Sequence, residues 1–281
     1  MRLVILGLPP STNNLYTVVH GRQVVTETGR RFHAAIGEIA ARAWTARAAR
    51  ARAAAQTSAA AQTSAAAQNG RSPDLSGPWP GPFAVLVTYH LGAYDRDVDG
   101  SHKALLDGLS GVVWTDDRQV VLFAARKTRV AEGVLPYVSL VVLPLSGPPL
   151  FRPPVIPARA IGFATTIIPP TANNTYTTTP HFRRKTTLAR QAGEALEAGF
   201  ARLIAGRDQL TGPLRVRLRY GFVADRRDVD GSHKLLLDAA RGQLWADDRQ
   251  IVSFTVAKAR LPRGEVPRIE GAVWALPPRG D

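Results

Sequence analysis

Apolar and polar positions alternate in a pattern that runs through the chain twice. Residues 2–8, apolar from Leu3 onward and closed by Pro9-Pro10, predict a buried strand. Phe163–Ile168, closed by Pro169-Pro170, repeats it. Polar turns follow at residues 11–14 and 171–174, each leading to a tyrosine (Tyr16, Tyr176) and a short β-prone stretch. Phe32, Ile36, Ile39 and Ala43 recur at helical spacing behind Thr28 as a cap. Leu188, Ala192, Ala195, Leu196, Gly199, Phe200 and Leu203 mark the matching helix. Strands are then predicted at Phe83–Leu91 and Leu214–Phe222. In the second, Arg215, Arg217 and Arg219 alternate with Val216, Leu218 and Tyr220, giving one arginine-lined face. A second helix carries Leu105, Leu106, Leu109 and Val112, with Leu235, Leu236, Ala239 and Leu244 as its copy. Strands at Gln119–Ala125 and Tyr137–Leu143, or Gln250–Val256 and Ile269–Leu276, complete each unit.

Between the second strand and its helix the copies agree letter for letter. Asp97-Val98-Asp99-Gly100-Ser101-His102-Lys103 recurs as Asp228-Val229-Asp230-Gly231-Ser232-His233-Lys234. A second acidic pair, in Trp114-Thr115-Asp116-Asp117-Arg118-Gln119, returns at the same offset of 131 as Trp245-Ala246-Asp247-Asp248-Arg249-Gln250. The upstream Asn13-Asn14 and Asn173-Asn174 pairs lie 160 apart instead. The difference is an alanine-rich, low-complexity insert at about 46–82, expected to extend the first helix into solvent and fray into a loop. A proline-rich linker occupies 144–160. These features predict an α+β chain with repeats at 1–143 and 161–281, each a small mixed sheet flanked by helices, the two packed as an intramolecular pseudo-dimer.

Composition narrows the chemistry. Net charge is +14, from 36 basic and 22 acidic residues, and both halves are basic, which favours a polyanionic partner such as nucleic acid. The chain has no cysteine, so thiolate metal sites and cysteine nucleophiles are excluded. No apolar run approaches a membrane span or a signal peptide, and a cytoplasmic location is the expectation.

Asp97 and Asp99 stand two apart at a strand end, and so do Asp228 and Asp230. Asp117 or Asp248 opens a neighbouring strand, and folding could bring it beside the first pair. Carboxylates without His or Cys are hard oxygen ligands suited to Mg²⁺ or Mn²⁺. Lys103 and Lys234 lie one turn along the helix, placed to neutralise charge on a phosphate. A calcium loop starting at Asp95 fails, because its twelfth position is Leu106 and the second copy begins with Arg226. Of five lysines, four match between the copies: Lys103 with Lys234, and Lys127 with Lys258. In an arginine-rich chain that retention points to chemistry specific to lysine. His102 and His233 read as exposed flanking residues, and the asparagine pairs as turns that could also touch phosphate.

The ordered set Pro-Pro-x-x-Asn-Asn, Arg-Asp-x-Asp-x-x-x-Lys and Trp-x-Asp-Asp-x-Gln-Val resembles the RusA family of Holliday-junction resolvases, twice over. The resemblance implies small α+β units that act as dimers and cut branched DNA with paired nicks, using Mg²⁺, in recombination and repair. It places catalytic, metal-binding aspartates at Asp97, Asp99 and Asp117, and at Asp228, Asp230 and Asp248, with catalytic Lys103 and Lys234. Contacts to a four-way DNA junction would fall on Arg96, Arg227, Asn13, Asn14, Asn173, Asn174, Arg118 and Arg249. Gly100 and Gly231 stand where the family usually has Asn, and the asparagine loop is one residue longer than its common form. A non-catalytic junction-binding protein, or a nuclease acting on other branched DNA or RNA, are the alternatives.

Overall fold

The computed structural model describes residues 1–19, 22–61, 78–93, 96–98, 100–147, 157–178, 183–223, 228–229 and 233–277. The first repeat runs β1 (Arg2–Leu6), α1 (Thr12–Leu15), β2 (Tyr16–Val19), β3 (Arg22–Val25), α2 (Glu27–Ala61), β4 (Phe83–Leu91), α3 (His102–Leu109), β5 (Val120–Arg129) and β6 (Tyr137–Pro144). The second follows the same order: β7 (Ile161–Thr165), α4 (Ala172–Thr175), β8 (Tyr176–Thr178), β9 (Arg183–Lys185), α5 (Thr187–Ile204), β10 (Leu214–Phe222), α6 (His233–Ala240), β11 (Ile251–Arg260) and β12 (Arg268–Ala275). The alanine-rich segment continues α2 as far as Ala61. Residues 62–77 of the insert and 148–156 of the linker lie outside the described residues.

In place of two separate sheets there is one eight-stranded sheet, ordered β1-β6-β4-β5-β11-β10-β12-β7. The repeats join where β5 meets β11 antiparallel, with Ala124 opposite Thr255, Arg126 opposite Ser253 and Leu122 opposite Ala257. Under the offset of 131 each of these pairs maps onto itself or onto its mirror partner, the register of a self-complementary contact.

Within each repeat the connection that carries the acidic heptad is a parallel crossover. β4 pairs with β5 in parallel, from Phe83 opposite Val120 to Leu91 opposite Arg129, and α3 bridges them. β10, α6 and β11 repeat the arrangement. Parallel pairing sets the exit of β4 and the entry of β5 at opposite ends of the sheet, which decides how the site is built.

The core lies between the sheet and the helices. Ile36, Ala40 and Trp44 of α2 pack with Leu105, Leu106 and Leu109 of α3 above Phe83, Val85 and Phe123. Helices α2 and α3 approach so closely at Gly108 that a Cβ there would lie 2.3 Å from Ile36 Cγ2, so only glycine fits. Thr26, rather than Thr28, caps α2: its Oγ1 accepts from Gly29 N at 3.1 Å and donates to the Asn14 carbonyl at 2.9 Å. Thr186 does the same for α5, accepting from Ala189 N and donating to Asn174 O. The β10 arginines alternate with buried residues as expected, and Arg215 and Arg217 stack over Trp274. Among the described residues, no helix is long and apolar enough to cross a membrane.

Candidate metal centre

Each acidic pair sits on a turn pinned from both sides. Asp116 Oδ1 accepts from Arg118 N at 2.9 Å, while Gln119 Oε1 accepts from Asp116 N at 3.0 Å, a capping box around the 3-10 turn Asp117–Gln119. Gln119 Nε2 also donates to the carbonyls of Trp79 and Gly81, fastening the turn to the end of the insert. Asp247, Gln250, Leu210 and Gly212 reproduce this in the second repeat. The sequence reading chooses Asp117 and Asp248 from each pair and assigns no role to Asp116 and Asp247. In the fold, Asp116 and Asp247 hold the turn, and Asp117 and Asp248 are presented by it.

Asp117 is grouped with an aspartate of the other repeat's heptad. Its ligand oxygens lie within 4.8 Å of those of Asp116 and of Asp228, which belongs to the other repeat. The reason is topological. Asp97 follows the exit of β4 and Asp117 precedes the entry of β5, so the parallel pair holds them apart by the length of the strand, roughly 20 Å or more. The antiparallel β5–β11 contact then brings each acidic turn to the opposite repeat's heptad. Sequence reasoning groups Asp97, Asp99 and Asp117 on one repeat; the structure places Asp117 with Asp116 and Asp228. Asp99, Asp230 and Arg227 lie outside the described residues.

The electrostatics match a shared site. Burial, and next the negative charge of Asp228, push the Asp117 carboxyl up to about 6, against the pull of the Lys103 cation. Asp116 is held well below the usual carboxylate range, chiefly by its hydrogen bond from the Arg118 guanidinium. Asp107, Ser110, Thr115, Asp116, Asp117, Arg118 and Asp228 line an open cleft. Asp116, Asp117 and Asp228 offer three carboxylate oxygens without sulfur or imidazole, a cluster that could hold a metal ion.

Lys103 is clamped at this site by a residue the sequence reading missed. Its Nζ donates to Asp107 Oδ1 at 3.1 Å, and Tyr16 Oη donates to Asp107 Oδ2 at 2.7 Å. Lys234 and Asp238 pair the same way at 3.2 Å. The signal was present as an i, i+4 Lys–Asp pair kept at the offset of 131.

The two acidic turns differ in detail. Asp248 is buried and accepts from Trp245 Nε1 at 2.8 Å, whereas the Trp114 indole nitrogen makes no hydrogen bond among the described residues. Arg241 replaces Ser110, and Ala246 replaces Thr115.

His102 and His233 are buried, not exposed. Their rings face each other at 4.6 Å and pack on Phe123 and Phe254 respectively. Burial, followed by the charges of Lys103 and Lys234, lowers the His102 pKa to about 3. The pair lies where the repeats meet, a location that flanking polarity could not reveal.

The residues expected to touch DNA are placed variously. Arg96 is turned inward, donating to the Pro9 carbonyl at 2.9 Å and Ser101 Oγ at 2.8 Å. Arg118 and Arg249 fork onto Asp116 and Asp247 at exposed positions beside the turns. Asn14 and Asn174 are exposed, with their backbone carbonyls held by the helix-capping threonines; Asn13 and Asn173 lie within the same short turns α1 and α4.

The family model of Endodeoxyribonuclease RusA matches residues 7–135 and, separately, residues 168–272. No curated protein matches the chain. The matched segments take in both acidic heptads and both acidic turns. With most of its length matched by that one model in two separate segments, the chain belongs to the RusA endodeoxyribonuclease family and carries two tandem copies of it.

Proposed function

We propose that the chain resolves Holliday junctions by paired nicks, with its repeats, 1–143 and 161–281, acting as a pseudo-dimer on one polypeptide. The observation that carries this reading is the convergence of Asp117 and Asp228 from opposite repeats. It implies two centres, each shared: Asp117 with Asp228 and Asp230, and Asp248 with Asp97 and Asp99. Mg²⁺, with Mn²⁺ as a substitute, fits these oxygen donors and would supply Lewis acidity toward a scissile phosphodiester.

The protein side of the mechanism follows from the clamped lysines. Asp107 and Tyr16 hold Lys103 beside Asp117, so its ammonium is oriented before substrate arrives. There it stabilises negative charge that grows on the phosphate oxygens in the transition state. Lys234, held by Asp238, serves the other centre. Arg118 and Arg249, beside the two turns, meet flanking phosphates. The centres lie at opposite ends of the β5–β11 contact, a separation suited to cutting two strands of one junction in recombination and repair.

The test is cleavage of a synthetic four-way junction with Mg²⁺, compared with fork, flap, linear duplex and RNA substrates under one condition. Paired symmetric nicks confined to the junction are expected. Tight binding without cleavage would make the protein a junction-binding factor. Equal cleavage of the other substrates would assign a different one.

A further inference from the structure

Lys127 and Lys258 are not accounted for by the chemistry of the cut. Each lies on the inward face of its strand, Lys127 in line with Phe123 and Ala125, and Lys258 with Phe254 and Val256. They are 1% and 2% exposed. An ammonium is costly to bury, and an apolar side chain would suit that row better if packing were its only task.

Their partners show what the charge does. Lys127 Nζ donates to two main-chain carbonyls, of Arg96 and of Arg249, each at 2.8 Å. Arg96 immediately precedes Asp97 in the first repeat; Arg249 immediately follows Asp248 in the second. One ammonium therefore joins the heptad loop of one repeat to the acidic turn of the other. Lys258 Nζ donates to the Arg118 carbonyl, which follows Asp117. The position matching Arg96 there is Arg227, beside Asp228 and outside the described residues. A compact group with three donors on a flexible stem can serve two carbonyls from separate segments, which the wider planar guanidinium does less readily.

We propose that Lys127 and Lys258 are positioning residues, each stapling together the two halves of one shared metal centre: Lys127 the Asp97–Asp248 centre, and Lys258 the Asp117–Asp228 centre. This rests on the reading of the centres as shared metal sites. It explains why lysine persists at both positions in a chain with only five lysines. It also separates these residues from Lys103 and Lys234, which face the reacting phosphate.

Mn²⁺ binding to the full chain, followed by the paramagnetic resonance signal of the free ion, tests the assignment without relying on activity. In an Asp117→Asn background only the Asp97–Asp248 centre remains. There Lys127→Met should weaken Mn²⁺ binding at least tenfold, while Lys258→Met should leave it unchanged. In an Asp248→Asn background the two lysine variants should exchange roles. Lysine substitutions that weaken both centres equally would show general packing and overturn the proposal, as would unchanged binding in every background. Absence of Mn²⁺ binding by the unsubstituted chain would instead overturn the metal-centre reading itself.

A rescue experiment covers the case in which Lys127→Met fails to fold. The chain has no other cysteine, so Lys127→Cys can be alkylated selectively in denaturant and refolded. Bromoethylamine rebuilds an ammonium of nearly lysine length, and iodoacetamide gives a neutral adduct of similar size. In the Asp117→Asn background, recovery of Mn²⁺ binding with the first adduct alone supports the staple. Equal recovery with both would refute it.

Discussion

Asp117→Asn should stabilise the metal-free protein while removing one of its cuts. In the folded chain the Asp117 carboxyl is raised from 3.8 to about 6, by burial first and by the Asp228 charge second. Because the folded value lies above the unfolded one, the stabilisation linked to this group is complete below about pH 3.8 and is lost as pH rises through about 6. A shift of that size corresponds to about 3 kcal/mol at neutral pH, and solvent screening of a half-buried group reduces it to about 1–2 kcal/mol. Asparagine keeps the shape and removes the repelled charge, so the variant should melt a few degrees above the parent at pH 7 in chelator. The advantage should vanish at about pH 3.5, where both side chains are neutral. Mg²⁺ should close the gap at pH 7 by stabilising the parent preferentially. Thermal melts by circular dichroism at the two pH values, with and without Mg²⁺, measure all three effects. A variant less stable than the parent at pH 7 in chelator, or a pH-independent difference, would refute the reasoning.

Other consequences are open to simpler tests. His102 has its folded pKa lowered to about 3 from 6.5, so its linked stability is full above pH 6.5 and is lost as pH falls toward 3. His102→Phe should therefore flatten the decline in melting temperature across that window, opposite in sign to the Asp117 effect. Thr26→Ala removes the α2 cap and its tie to the Asn14 carbonyl, and should cost about 1 kcal/mol in denaturant unfolding. Junction binding by this +14 chain should weaken steeply with salt, with a log–log slope of about −0.9 per phosphate neutralised. A flat salt dependence in a filter-binding or anisotropy titration would argue against phosphate contacts by its arginines.

Much of the fold was legible because local patterns and tertiary structure agree. The alternation around Arg215–Arg219 and the helical stripe through Ile36 each became the element they predict, whereas the run expected to be a buried strand near the start became an edge strand, β1, whose Val4 and Leu6 are exposed. The extra α2 length was legible too, as alanine propensity. What the letters could not convey was which end of the sheet each acid occupies. Asp97 and Asp117 are close in sequence and kept together in both copies, yet a parallel crossover separates them, and the neighbour Asp117 finds is Asp228 of the other copy. The same blindness hid His102 and His233. Beside Ser and Lys they look solvent-facing, but each is buried against the other where the repeats join. Lys127 and Lys258 were conspicuous by retention alone; only the fold shows them holding main-chain carbonyls.

The most direct test maps nicks on a four-way junction whose strands carry different labels, using paired substitutions. If the centres are shared, Asp97→Asn with Asp248→Asn damages a single centre, and one nick should survive. Asp97→Asn with Asp117→Asn damages both, and cleavage should disappear. The reverse outcome, with one nick retained by the Asp97–Asp117 pair and none by the Asp97–Asp248 pair, would contradict the shared arrangement and return each centre to its own repeat.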